Sequence, residues 1–374
     1  MNSKMLVPYL LAYFPFLVAA LAFVSIVVPS RMKTRGRAIW AMVLLFAASR
    51  SLVFESFGGS LFTPNFPEAV VWLWYFACSA LYILLGLRIF WWTPRGRTTV
   101  MPALAVLIAA WGVWEGFRPP ALREIEVSFK NLPAELDGYR LLQITDVHCS
   151  SAARKWRTQA IVDLANAAKP DLVCLTGDYA DGYVDERADD LKPLLGLKST
   201  DGVWSVTGNH EYYQDGRKWR QWERDNGFNY LVNDCVHPRP HLALAGVNDP
   251  IALPCGPDVP PNVTSAFRES DTNDFRILMA HRPLGFTMNA QQDGVDFQLS
   301  GHTHGGVMPG LAQVVARMNG GFVRGFYEEG DARLYVSPGA GLWAGFPIRF
   351  FNRSEITLFV LRCGKDKPLS EKGR

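Results

Sequence analysis

The sequence lacks several features that would place it in common classes. Its six cysteines, at positions 78, 149, 174, 235, 255 and 363, include no Cys-x-x-Cys pair, which removes a zinc ribbon. No internal repeat runs through the chain, so a solenoid or propeller is excluded. Acidic residues are scarce at the start. Positions 1–118 carry ten Lys/Arg against three Glu, a net of +7, which leaves −4 for the rest of a chain whose total is +3. The basic excess therefore belongs to an apolar segment, and no nucleic acid partner is predicted for the remainder.

That segment supplies what is abundant, namely long uncharged runs. Residues 6–29 form a run of 24 residues, more than the roughly 20 needed to cross the hydrocarbon core as a helix. A signal peptide would have an apolar stretch of about 7–15 residues and no successors. Here three more runs follow: 38–54, interrupted by Arg50, then 69–87 and 98–114. Residues 1–118 are thus expected to be an all-α transmembrane region of about four helices. Arg50 either snorkels to the interface or marks a headgroup site. Four basic residues lie in 31–37 and three in 88–97, against none in 55–68. The positive-inside rule then predicts an integral protein of the inner or plasma membrane whose chain after Trp114 is extracytoplasmic.

Pro119 and Pro120 stop the last helix, and a domain at 119–364 follows. Its pattern is strand, polar residues at the strand's end, helix, and repeat, as at 140–148, 171–178 and 202–211. Open α/β sheets gather functional groups in this way, beyond the carboxyl ends of their strands. The polar tail 365–374 is predicted to be disordered.

The polar groups at those ends are Asp146, His148, Asp178, Asn209, His210, His281, His302 and His304. Carboxylates, imidazoles and one amide suit first-row divalent ions. Eight are too many for a tetrahedral site, whereas two ions sharing a bridging carboxylate would use them. The membrane bilayer is an expected partner.

The order Asp-x-His, Gly-Asp, Gly-Asn-His-Glu, single His and Gly-His-x-His resembles the motif series of the calcineurin-like metallophosphoesterase superfamily. The surroundings His281-Arg282-Pro283, Leu299–Gly306 and Pro338-Gly339-Ala340-Gly341 are similar to its membrane-linked YkuE/YaeI-type branch. The resemblance implies a four-layer α/β/β/α sandwich and two divalent ions (Mn, Fe or Zn). It implies that Asp146, His148 and His304 hold one ion, that Asn209, His281 and His302 hold the other, and that Asp178 bridges them. His210 would be the catalytic group near the leaving oxygen. The implied activity is hydrolysis of phosphate mono- or diesters or phosphoanhydrides, with lipid or envelope substrates suggested by the short linker. Alternatives are a non-catalytic metal-binding scaffold and a membrane sensor.

Some residues stand apart from this series. Val307 occupies a position where the branch often has Gln. Arg349 and Arg353 either reach a substrate phosphate or bridge to the sheet edge. His237 and His241, in a proline-flanked loop, are assigned to surface structure. An extracytoplasmic domain would allow a Cys235–Cys255 disulfide.

Overall fold

In this chain the length of an apolar run separates helix from strand. Runs near 20 residues can satisfy their own backbone as helices, while runs of four to nine residues need neighbouring strands. A computed structural model describes residues 16–30, 32–49, 67–90, 100–214, 216–252, 259–308, 310–343, 348–364 and 370–372. The chain divides into two compact units, Met1–Phe117 with Ala344–Arg349, and Arg118–Trp343 with Phe350–Arg374.

The first unit is helical: α1 (Phe16–Val27, closing in a π turn), α2 (Thr34–Ala48), α3 (Glu68–Phe90) and α4 (Val100–Phe117). Among the described residues two helices are long and apolar enough to cross a membrane, Glu68–Arg88 within α3 and Val100–Phe117. The expected spans 6–29 and 38–54 are described only in part, and Arg50 lies outside the described residues. Small residues such as Ala105, Ala109 and Gly112 are among the buried positions of α4, which lets neighbouring helices approach closely.

The second unit has two mixed sheets. In chain order its strands and helices are β1 (Ala121–Phe129), β2 (Arg140–Ile144), α5 (Lys155–Ala167), β3 (Leu172–Thr176), α6 (Val184–Leu191), β4 (Val203–Val206), α7 (Asn209–Gln214), α8 (Gly216–Asp225), β5 (Asn229–Tyr230), β6 (Asp234–Arg239), β7 (Leu242–Gly246), α9 (Val263–Ala266), β8 (Phe275–Met279), α10 (Phe286–Asp293), β9 (Phe297–Ser300), α11 (Leu311–Met318), β10 (Gly325–Glu329), β11 (Ala332–Val336), β12 (Glu355–Cys363) and β13 (Ser370–Lys372). One sheet runs β13-β1-β12-β2-β3-β4-β5 and the other β10-β11-β9-β8-β7-β6. Strands β2 to β5 are mutually parallel, as are β7, β8, β9 and β11.

Alternation along each strand assigns its side chains to layers. Leu141, Leu172 and Cys174 of the first sheet share a core with Leu242, Leu244, Ile277 and Phe297 of the second. Leu142, Val173 and Leu175 point the other way and pack with Ile161 of α5, Leu191 of α6 and Trp219 of α8. On the far side, Ala243, Ala245 and Leu278 meet Ala266 of α9, and Leu334 meets Phe286 of α10. Each sheet is covered on both faces, so its central strands read as continuous apolar runs.

Four of these elements are unexpected from the sequence. Strand β6 is half-exposed, with a Pro that hides its alternation. The glycine-rich passage up to Gly330 contains helix α11 and strand β10. Within the tail predicted to be disordered, β13 pairs antiparallel with β1, whose open edge supplies a hydrogen-bond ladder that composition cannot reveal.

Candidate metal centre

The carboxyl ends of five strands from both sheets converge. Strand β2 delivers Asp146 and His148, β3 delivers Asp178, β4 delivers Asn209 and His210, β8 delivers His281, and β9 delivers His302 and His304. Hydrogen bonds tie the two sheets together at this end. Gln143 Nε2 of β2 donates to Ser300 O at 3.0 Å and the His302 N–H donates to Asp146 Oδ1 at 3.1 Å; within the second sheet, Gly301 N donates to His281 O at 2.9 Å.

The turns that present these residues are strained. Asp146, His148, Asp178, His302 and His304 all have positive φ, between 45° and 69°. Left-handed conformations of this kind in non-glycine residues cost on the order of 1–3 kcal/mol each and persist where surrounding structure over-determines them. The neighbouring glycines make room. A Cβ on Gly301 would collide with Asp146 Oδ2, one on Gly339 with Asp146 Cβ, and one on Gly208 with Asp178 Oδ1. The Pro338–Gly341 turn also holds the Asp146 backbone, through Ala340 N to Thr145 O at 2.8 Å and Gly341 N to Asp146 O at 2.7 Å.

Two triads result. Ligand atoms of Asp146, His148 and His304 lie within 4.8 Å of one another, and so do those of Asp178, His281 and His302. His148 Nε2 is 3.7 Å from Asp178 Oδ2, so the triads adjoin across that carboxylate. A third grouping, His148, Asp181 and His210, sits beside them.

The donor chemistry fits cations. His281 Nδ1 faces Thr176 O at 2.8 Å. A carbonyl can only accept, so Nδ1 carries a hydrogen and Nε2 is the atom that faces Asp178 Oδ2, 3.1 Å away, where a proton or a cation can stand between them. Asp181 Oδ1 likewise accepts from His148 Nδ1 at 3.0 Å, which leaves His148 Nε2 aimed at His304 Nε2, also 3.0 Å away. Two ring nitrogens at that separation need a proton or a cation between them. Asn209 Oδ1 is buried with no hydrogen-bond partner among the described residues, a costly condition that a bound cation would relieve.

Electrostatics point the same way. Burial works against charging His281, but the Asp178 carboxylate outweighs it and lifts the imidazole to about 10. Burial, the positive charge at His281 and Arg282 press His302 down to about 3, leaving a neutral imidazole suited to ligation. Asp181 falls to about 2 because His148 and His210 overcome its burial.

Asp181 was not among the residues read from the sequence. It accepts from both His148 Nδ1 and His210 Nδ1, and the available signal was its place three residues after Asp178 on the same loop. Glu211 is a second omission. Its buried carboxylate accepts from the backbone N–H of Gly208 at 2.8 Å, Tyr179 at 2.7 Å and Asp178 at 3.1 Å, pinning two ligand loops together. Arg282, beside His281, donates from Nε to buried Asp249 at 2.8 Å.

Not every expected residue gathers here. Arg349 falls in the helical unit, buried, with its backbone N–H donating to Gly112 O at 3.0 Å. Arg353 is exposed on the loop before β12. His237 pairs with Asp274 at 2.9 Å and His241 lies 3.9 Å from Glu135, both away from the triads as expected. Cys255 lies outside the described residues.

Comparison with known proteins agrees with this geometry. A model of the calcineurin-like phosphoesterase family matches residues 139–306. A metallophosphoesterase of Helicobacter pylori is 33% identical over 260 residues, covering 69% of this chain and 68% of its own. The zebrafish (Danio rerio) transmembrane protein with metallophosphoesterase domain is 31% identical over 276 residues, covering 71% of this chain and 63% of its own. The Bacillus subtilis metallophosphoesterase YkuE is 28% identical over 243 residues, covering 62% of this chain and 82% of its own. The ordered ligand series, its convergence into adjoining triads and these relatives lead to one conclusion: the chain belongs to the calcineurin-like metallophosphoesterase family.

Proposed function

We propose that this protein is a membrane-anchored, binuclear, metal-dependent hydrolase of phosphate esters or phosphoanhydrides. The observation that carries the reading is the pair of triads adjoining at Asp178, with an orphaned acceptor on Asn209. Asp146, His148 and His304 would hold one ion and Asn209, His281 and His302 the other, with Asp178 shared. Mn, Fe and Zn all suit this donor set. When bound, a pair of such ions supplies hydroxide near neutral pH and neutralises phosphoryl oxygens.

The chain's own residues do the rest. Asp181 fixes His210 through Nδ1, so the Nε2–H is free to protonate the departing alkoxide. Asn209 adds a neutral oxygen, which limits the negative charge facing an anionic substrate. Arg282, steadied by Asp249, offers its terminal nitrogens to a phosphate oxygen. The distribution of basic residues supports four spans with this domain outside the cytoplasm.

The test is hydrolysis of an aryl phosphate ester by the full-length protein in detergent, with metal content measured in parallel. Asp178→Asn and His281→Ala should each abolish metal-dependent turnover and lower the bound metal. Near-normal activity in either variant overturns the assignment.

A further inference from the structure

Two apolar surfaces grow directly out of the ligand segments. The first is α11, which follows the His304–Gly306 turn closely enough that a Cβ on Gly306 would strike Ala312 Cα. Helix α11 has no buried residue. Val314 is 48% and Met318 74% exposed, large values for apolar side chains one turn apart on the same face. The second surface follows His281: Leu284 is 43% and Met288 55% exposed. The two are continuous, because Leu284 Cδ2 lies 3.3 Å from where a Cβ on Gly320 would sit, just beyond the end of α11.

The charge along the segment that carries α11 is of one sign. From Phe297 to Tyr327 the chain has no acidic residue, while Arg317 and Arg324 are exposed there. This occurs in a part of the sequence, 119–374, whose net charge is −4. An exposed helix with an apolar face flanked by arginines and free of acids has the composition of an interfacial element that binds anionic lipid. The covalent context matches. Only Arg118–Pro120 separate α4, a helix of membrane length, from β1. Three extended residues reach about 10 Å.

We infer that Leu284, Met288, Val314 and Met318, with Arg317 and Arg324, form a docking face for an anionic phospholipid bilayer, and that the metal centre acts on phosphate groups presented from that bilayer. The inference rests on the phosphoesterase reading for its substrate but not for its docking face. The apolar side chains enter the acyl boundary and the guanidinium groups meet lipid phosphates. A headgroup phosphate is thereby brought to the two ligand loops from which the face springs.

The experiment uses the full-length protein in nanodiscs of phosphatidylcholine with phosphatidylglycerol, compared with detergent. Amides of 311–318 should exchange hydrogen at least tenfold more slowly in the anionic nanodiscs. The double variant Val314→Asp/Met318→Asp should lose that protection. It should also raise KM for a nanodisc-embedded phosphatidic acid at least tenfold while leaving kcat/KM for a soluble aryl phosphate within twofold. Exposed positions of this kind tolerate aspartate without a core penalty, and an unchanged aryl phosphate rate certifies the fold. Equal exchange in detergent and nanodiscs, or protection that scales with protein concentration and so reports a second copy, overturns the docking face. Equal KM shifts for both substrates overturn the lipid preference. If wild type hydrolyses neither substrate with any metal, the phosphoesterase reading fails while the exchange data still decide the face.

Discussion

Asp181→Asn is the most informative single perturbation of this centre. The carboxylate is fully buried and accepts from the Nδ1–H of both His148 and His210. Both rings bond the same oxygen, Oδ1, so an amide of the same size can keep both contacts through its own oxygen, but without the negative charge, and its NH2 falls at the place of Oδ2, which has no partner among the described residues. The substitution therefore turns two buried charge-assisted hydrogen bonds into neutral ones, each weaker by about 1–1.5 kcal/mol. A net cost of roughly 2–3 kcal/mol corresponds to a loss of about 30- to 150-fold. That loss divides between two observables. If His148 turns, metal affinity falls at the Asp146–His148–His304 triad, in line with the 10–100-fold typical of groups that orient ligands. If His210 turns, kcat falls with metal affinity unchanged. Calorimetric metal titration of the full-length protein, run beside turnover of an aryl phosphate ester, separates the two. Unchanged affinity together with unchanged kcat would refute the claim that Asp181 orients either ring.

Other consequences follow from the same geometry. Gly301→Ala places a methyl group against Asp146 Oδ2 and Thr145 Oγ1. We expect about 1–3 kcal/mol of destabilisation and at least one metal equivalent lost per chain, read by thermal unfolding and elemental analysis. Glu223 on α8 is buried with no hydrogen-bond partner for its carboxylate among the described residues, and burial holds its pKa well above the usual range, with Glu211 adding to the shift. The folded state therefore binds the proton more tightly than the unfolded chain, whose pKa is about 4.3. Its contribution is fully present below pH 4 and declines as pH rises toward the folded value. Glu223→Gln should raise the melting temperature at pH 7–8 and leave it unchanged near pH 4; equal effects at both values would contradict this. Chelation should lower the melting temperature of the second unit, because ligand at 100-fold its Kd contributes about 2.7 kcal/mol; a calorimetric scan of the full-length protein with and without chelator reads it.

Much of the centre was legible because metal ligands in an α/β sheet sit at strand ends and keep their chain order. Asp146, His148, Asp178, Asn209, His281, His302 and His304 could be picked out as candidates by that rule, and the structure groups all of them but Asn209 into the two adjoining triads. Asp181 and Glu211 escaped it. Their work is to accept hydrogen bonds from rings and backbone N–H groups, a role that any buried carboxylate can fill and that leaves no spacing to read. For Arg349, nearness in sequence to the final strand suggested a phosphate contact, and the backbone of the folded chain groups it with the helices.

The sequence by itself determined most of the element types and a set of candidate ligands. Run length, alternation and donor chemistry are local properties that survive without a fold. Only the tertiary structure decided how the two groups of candidates are brought together, because that depends on five residues in left-handed conformation and on glycines whose missing side chains let loops from two sheets approach. It also decided that the apolar and basic residues of α11 share one exposed face beside the ligand loop. Exposure is a property of what the remainder of the chain leaves uncovered, and no window of sequence contains it.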